Sequence, residues 1–238
     1  MNDITLITVN WNQKRALEIM LKSYVKHNYN GEKLNLIVFD NGSTDGSVEW
    51  LINNKIPFIS YPENIGHENA VNYIYPLIKT KYALLVDNDI IFKTNIKEHY
   101  NNVFSDKIKL IGDYILQHTP PLIPRIAAWF FLFDIESMKL AGVNIFREGD
   151  NWTYDVGSWF TEKVVEKGYQ FYPIKRLTEL EQENTDVIGM IYESHIHLGK
   201  TSWDLNNHED RIEEVNKRRD FLNSFTDYDL VEIKNIFI

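Results

Sequence analysis

The sequence contains no cysteine. Disulfide staples, Cys-ligated zinc, iron–sulfur clusters and thiol nucleophiles are therefore excluded. Long apolar runs are missing too. No window approaches the ~18 uninterrupted apolar residues that a membrane-spanning helix needs. The opening segment MNDITLITVN has no basic stretch followed by an apolar one, so it does not read as a secretory signal. With the missing cysteines, this makes the cytoplasm the expected location, a peripheral position at a membrane surface being the alternative. Positive charge is in deficit: 34 acidic residues face 25 Lys and Arg, a formal charge of −9. That balance speaks against a broad phosphate-backbone partner such as duplex DNA. It leaves room for one small nucleotide held by local contacts and a metal ion. Internal repeats and low-complexity linkers are also absent. What is present is ordinary globular material: 44% hydrophobic and 25% charged residues over 238 positions, enough to bury a real core.

The first hundred residues alternate strand and helix signals. Ile4 to Val9 is a short β-branched run and predicts a buried strand. Asn12 offers an N-cap, and Leu17, Met20, Leu21, Tyr24 and Val25 then follow at helical spacing. Leu34 to Phe39 is a second strand. Asp40 to Gly46 is turn chemistry with several candidate caps for a helix through Trp50 and Leu51. Phe58 to Tyr61 is a third strand. Val71, Ile74, Tyr75 and Ile78 give a helical stripe that Pro76 shortens. Tyr82 to Val86 is the least polar strand and is expected at the centre of the sheet. Such a β-α-β series predicts an α/β fold with a parallel sheet and helices on its faces. The second half is mixed. Pro120, Pro121 and Pro124 punctuate a loop, Ala127 to Phe133 and Tyr169 to Ile174 predict strands, and Glu136 to Ala141, Ser158 to Lys167 and Glu209 to Leu222 predict helices. No composition shift divides the chain, so one domain is expected.

Ligands of open parallel sheets bind outside the carboxyl ends of the strands. All four predicted strand ends here are polar: Thr8-Val9-Asn10-Trp11-Asn12, Asp40-Asn41-Gly42-Ser43, Asn64-Ile65-Gly66-His67 and Asp87-Asn88-Asp89. The last is the sharpest. Two carboxylates one residue apart, just past an apolar strand, leave one free to hold a hard cation such as Mg2+ or Mn2+ and the other to bond a sugar hydroxyl.

These stretches, in this order, resemble an inverting glycosyltransferase of family 2 with a GT-A fold: Thr8 to Asn12, Asp40 to Asp45, and Asn64-x-Gly66-x-x-x-Ala70-x-Asn72 followed by Asp87-Asn88-Asp89. The resemblance is good over residues 1–92 and looser from about 127 to 203. It implies a Rossmann-like, mostly parallel central sheet with helices on both faces. It divides the single domain into a nucleotide-sugar half (1–92), an acceptor half (93–203) and a helical tail (204–238). It implies that Thr8 and Asn10 line the nucleotide pocket, that Asp40 bonds the base, typically uracil, and that Asn64 and Gly66 border that pocket. Asp87, with Asn88, would sit near the ribose or donor sugar, and Asp89 would hold Mn2+ or Mg2+ on the diphosphate. Asp155, before a helix that ends in Gly168-Tyr169, matches the position of the family's catalytic base, with Glu148 and Asp150 as competitors. His197 is favoured over His195 as the histidine that reaches the metal. Trp152 is the one aromatic assigned near the acceptor; Trp129, Trp159 and Trp203 read as core residues. Lys217-Arg218-Arg219 reads as a solvated helix face.

The implied partners are a nucleotide-diphosphate sugar, expected to be a UDP-sugar, and a glycan or other hydroxyl acceptor. Three departures from the family pattern stand out: Val71 where a basic residue is frequent, Tyr154-Asp155 for Glu-Asp, and Gly142-Val143 for Gly-Gly. They motivate a competing reading, a binding module without turnover. A glycosyltransferase acting on a modified nucleic-acid base is a variant that the acidic charge disfavours. A nucleotidyltransferase is disfavoured because Asn10 to Arg15 contains no glycine to cradle a triphosphate.

Overall fold

A computed structural model describes residues 3–115, 125–140, 156–182, 186–199, 201 and 211–238. Strand β1 (Ile4–Asn10) is buried on both faces, Ile4 and Leu6 pointing one way and Ile7 and Val9 the other. Helix α1 (Lys14–Asn28) buries the expected stripe Leu17, Met20, Leu21, Tyr24 and Val25 against the Ile4–Leu6 face. Its start differs from expectation. Asn12 does not cap it; the residue adopts a positive φ of 52° and its Oδ1 accepts from the Thr44 N–H at 2.7 Å. The orphan Lys14 N–H donates instead to Asp45 Oδ2 at 2.8 Å. A residue from the next loop thus closes the helix end, because the chain leaves β1 in a left-handed turn that aims Asn12 sideways.

Strand β2 (Asn35–Asn41), helix α2 (Ser47–Asn53), strand β3 (Phe58–Tyr61), helix α3 (His67–Ile74) and strand β4 (Tyr82–Val86) follow. The stripe of α3 gives way to a 3-10 turn at Tyr75–Leu77, where Pro76 cannot donate to the helical ladder. Strands β6 (Ile108–Ile115), β7 (Arg125–Asp134) and β8 (Gln170–Ile174) complete a sheet of order β3-β2-β1-β4-β7-β6-β8. β4 is the middle strand, as its composition predicted. β1 is parallel to β2 and β4, β2 is parallel to β3, and β6 is parallel to β8. β7 alone runs antiparallel, to both β4 and β6.

Helices cover both faces. α1 and α2 lie over one core; α3 and α6 (Val156–Glu166) lie over the other, built on Phe131, Phe133 and Phe160. Each fully buried side chain of this kind contributes roughly 1.5–3 kcal/mol. Helices α4 (Ile96–Tyr100) and α5 (Ile135–Leu140) are short.

A second, antiparallel sheet has the order β5-β11-β10-β9: β5 (Ile90–Phe92), β11 (His195–His197), β10 (Asp186–Tyr192) and β9 (Arg176–Gln182). Two polar residues on the buried side of α1 tie β5 and the start of α4 to the first helix. Ser23 Oγ accepts from the Phe92 N–H at 3.0 Å, and Asn28 Oδ1 accepts from the Ile96 N–H at 2.8 Å. Helix α7 (Ile212–Asn223) buries Val215, Arg218 and Leu222. The last residues then pair with the start of β2, where Leu34 N–H donates to Ile236 O at 3.0 Å and Ile238 N–H to Leu34 O at 2.9 Å. Among the described residues no helix is long and apolar enough to cross a membrane.

Candidate active site

The strand order places β2 and β3 on one side of β1 and β4 on the other, so the chain reverses direction beside β1. A crevice opens at such a reversal, outside the carboxyl ends of the strands. A cavity of about 590 Å3 occupies that place. Its wall includes Trp11 after β1, Asn41 at the end of β2, Asn64 and His67 around the start of α3, and Asp87, Asn88 and Asp89 after β4.

Asp87 to Asp89 form the three-residue step from the main sheet into the second one. Register then supplies the histidine. β11 runs antiparallel to β5 with His197 opposite Ile90, and Leu198 N–H donates to Asp89 O at 3.2 Å. His197 is thereby set beside Asp89, although 108 residues separate them in sequence. One donor atom each from Asp87, Asp89 and His197 all lie within 4.8 Å of one another. Asp89 Oδ2 accepts from Thr201 Oγ1 at 2.9 Å, while Asp89 Oδ1 stands 3.4 Å from His197 Nε2. Asp89 Oδ1 and both ring nitrogens of His197 are buried without a hydrogen-bond partner. Such orphans are costly unless something occupies the space between them.

The charges are strongly interdependent. Desolvation inside the crevice pushes the Asp87 carboxyl above its ordinary range, helped by the charge of Asp89 and opposed by His67 and His197; with 38% of the side chain exposed, the effect is screened by solvent. Burial would raise Asp89 as well, but His197 and Thr201 outweigh it and hold that carboxyl below the usual range. For His197 burial favours the neutral ring, and Asp89, Asp87 and Asp113 outweigh it, so its pKa is raised. Two acids driven apart around one imidazole make a natural seat for a divalent cation.

Behind the wall lies a polar floor. Asn10 Nδ2 donates to Asp40 Oδ2 at 3.0 Å and to Ser43 Oγ at 3.1 Å, and Asn10 Oδ1 accepts from Asn88 Nδ2 at 2.9 Å. Asp40 Oδ1 accepts from the Ser43 N–H at 3.0 Å. Asp40 is fully buried, with both oxygens engaged inside the protein. Thr8, Asn10 and Asp40 are thus not part of the cavity wall; they underlie it. Gly66 is outside the wall too, exposed just before α3. Asn41, one residue on, is part of it. Its Nδ2 donates to Asn64 Oδ1 at 2.8 Å and its Oδ1 accepts from the Ile65 N–H at 2.9 Å. Gly42, with φ 78°, lets this turn pass: a Cβ there would sit 2.8 Å from the Glu63 backbone.

His195 and His197 do lie on one side of β11, but only His197 joins the carboxylates. His195 Nε2 meets Asp113 Oδ2 at 2.9 Å, and both side chains are fully buried. Several wall residues were given no role, or another one, by the sequence. His67 opens α3 and sits 3.7 Å from Asp87 Oδ1. Trp129, read as core, lines the cavity beside His197. Arg218, read as part of a solvated face, is buried at the cavity edge, where it donates to the carbonyls of Leu198 and Gly199. The signal for Arg218 was available: it falls on the Val215–Leu222 stripe.

Asp155, Trp152, Glu148 and Asp150 lie outside the described residues, as do Gly142, Val143, Tyr154 and Trp203. The described chain resumes at α6, directly after position 155. Gly157 in its first turn is pressed onto β7; a Cβ there would collide with the Ile126 carbonyl oxygen. Two residues further along β7, Ala128 lines the cavity.

Residues 5–112 match the sequence profile of glycosyl transferase family 2. No curated protein matches the chain. Among solved structures the fold is similar to mannosyltransferase PcManGT from Pyrobaculum calidifontis, in complex with GDP-Man and Mn2+. Identity is 18% and the TM-score 0.56, over 72% of this chain and 54% of that one. It is also similar to S. aureus TarS in complex with UDP-GlcNAc, at 14% identity and a TM-score of 0.52, over 79% of this chain and 62% of that one. The chain therefore spans about half the length of the first of these and under two thirds of the second. Likeness at such identity speaks for the fold alone, which is GT-A.

Proposed function

On the match of residues 5–112 to glycosyl transferase family 2, we propose that the chain transfers a sugar from a nucleotide-diphosphate donor to an acceptor hydroxyl, with inversion. The observation that carries this reading is the convergence of Asp87, Asp89 and His197 within 4.8 Å in the crevice of the sheet. Asp89 Oδ1 and His197 Nε2, buried 3.4 Å apart without a hydrogen bond, fit a divalent cation. Two carboxylates with an imidazole suit Mn2+ better than Mg2+, which prefers all-oxygen surroundings. When bound, such a cation offsets the charge that develops on the leaving diphosphate.

The chain's own residues do the rest. Thr201 fixes the Asp89 carboxylate through its hydroxyl. Asn41 and Asn64, already joined, offer the polar edge for the base, and Trp11 offers a flat face beside them. Asp40 and Asn10 act from below by holding the strand ends in place. Asp155 takes the proton from the acceptor hydroxyl as that oxygen bonds to the anomeric carbon. The bond from that carbon to the diphosphate oxygen breaks in the same step, without a glycosyl–enzyme intermediate. The contact of Gly157 with Ile126 supports this assignment, since it brings the start of α6 next to the cavity wall. The similar structures were solved with UDP-GlcNAc and with GDP-Man, so UDP-sugars and GDP-sugars are the first donors to assay.

A donor panel with Mn2+, read as nucleotide diphosphate release, tests the reading. Release is expected with Mn2+ and none after chelation. Asp89→Ala should lose metal-dependent nucleotide binding by titration calorimetry; unchanged affinity would make the metal assignment wrong. Asp155→Asn should keep nucleotide affinity and lose transfer by about 100-fold or more. Full transfer by that variant would sink the base assignment.

A further inference from the structure

A histidine that ligates a metal ordinarily donates its other ring N–H to a carboxylate or a carbonyl, which fixes the plane of the ring. His197 has no such hydrogen bond: Nε2 faces Asp89 Oδ1 at 3.4 Å, and the other nitrogen, Nδ1, is buried without a partner. What holds its ring is the indole of Trp129, stacked with centroids 4.7 Å and planes 23° apart. The indole is itself held, since its Nε1–H donates to Asp113 Oδ2 at 2.7 Å.

That carboxylate ends a buried string. His195 Nε2 lies 2.9 Å from the same Asp113 oxygen, Ser194 Oγ lies 3.0 Å from His195 Nδ1, and Tyr100 OH donates to Ser194 Oγ at 2.7 Å. The Tyr100 hydrogen points to Ser194. Between Ser194 Oγ and His195 Nδ1, and between His195 Nε2 and Asp113, the proton positions follow the ring's tautomer. The contacts run without a gap from Tyr100 to Asp113. The His195 ring is also clamped between Phe130, with centroids 4.2 Å apart, and Tyr192, at 4.7 Å. A buried polar string of this kind is weak as a source of stability, because desolvation offsets most of its gain. It is strong as an orienting device, because every member has a direction.

We propose that Trp129, oriented by the Tyr100–Ser194–His195–Asp113 string, is the positioning residue for His197, its stacked indole taking the place of the missing hydrogen bond. The electron-rich indole face also favours the positive character that an imidazole gains on binding a cation. The inference rests on the metal reading of His197.

The test is a double-mutant cycle on the full chain without nucleotide, with Mn2+ affinity and line shape followed by electron paramagnetic resonance. Trp129→Leu removes the stack and keeps an apolar filler. Trp129→Phe keeps a stacked ring but loses the bond to Asp113, and so covers the case in which the leucine variant does not fold. Trp129→Leu should weaken Mn2+ binding by about 10–100-fold, the usual loss for an outer partner of a ligand. Trp129→Phe should weaken it less and should change the line shape. In a His197→Ala background both substitutions should alter affinity by less than about 2-fold, because their action runs through His197. Equal losses in both backgrounds would overturn the proposal, as would wild-type affinity in both Trp129 variants. Wild-type Mn2+ affinity in His197→Ala alone would remove the metal reading and the proposal with it.

Discussion

Asn10 is where the site should be most fragile to a small change away from the cavity. Replacing it with Ala deletes three hydrogen bonds at once: to Asp40 Oδ2, to Ser43 Oγ and from Asn88 Nδ2. Two of the groups left behind are buried, Asp40 at 0% and Asn88 at 6% exposed, and Ser43 is half-buried. A bond to a charged group is worth about 1.5–3 kcal/mol and a neutral one about 1 kcal/mol, so the expected loss is about 4 kcal/mol. For a chain of this size that is a drop in Tm of about 8–16 °C. Urea unfolding of Asn10→Ala with an unchanged slope should return that figure. A loss below about 1 kcal/mol would mean that water replaces Asn10 without cost and that the floor is not a structural unit. Asn10→Asp separates the hydrogen bonds from the charge. It sets a second carboxyl beside Asp40 in a closed space, where one of the pair must stay protonated. A folded pKa raised above the unfolded value gives stability that is present at low pH and lost as pH rises. Asn10→Asp should therefore weaken steadily above pH ~4, while Asn10→Ala should be displaced by a constant amount.

Three further outcomes are expected. Phe237→Ala should cost about 3–5 kcal/mol in urea unfolding, since the ring is buried in the α1 core; a loss under about 1 kcal/mol would show that the pairing of the last residues with β2 holds nothing. Gly157→Ala should lift α6 from β7 at Ile126 and cost about 2 kcal/mol or more. It should lower transfer more than donor binding, and equal effects on both would detach α6 from the chemistry. Asp229 has its carboxyl held below the ordinary range mainly by the Arg15 guanidinium. That contribution is present above pH ~4 and lost as pH falls through the lowered folded value. Asp229→Asn should flatten the acid limb of the stability curve, and an unaltered limb would dismiss the pair.

The legibility of the chain follows from the range of the forces that order it. Strands and helices of the first half were readable because periodicity is local: β3 spans the residues its composition marked, and β4 lies in the middle of the sheet. What the strand ends present was readable only to within one residue. Asp40 and Asn10 are register partners with side chains on one face, so they bond each other below the cavity. Alternation sends the next residue, Asn41, to the wall. A motif marks the turn but not which of two adjacent polar residues faces outward, since that depends on the pleat. The two histidines show a longer-range limit. Their spacing set both on one side of β11, and their different fates follow from β5 pairing His197 with the residue next to Asp89. Nothing local encodes that register. Trp129 was hidden for a third reason. β7 is buried on both faces, so its apolar run carries no alternation to distinguish a core indole from one that borders a cavity. Arg218 was not hidden in that sense. A charged residue at i+3 and i−4 from buried Val215 and Leu222 must either break the stripe or be neutralised there. Glu214, one turn earlier, supplies the opposite charge at 3.0 Å, and the carbonyls of Leu198 and Gly199 accept from the guanidinium, which holds the segment carrying His197 against α7.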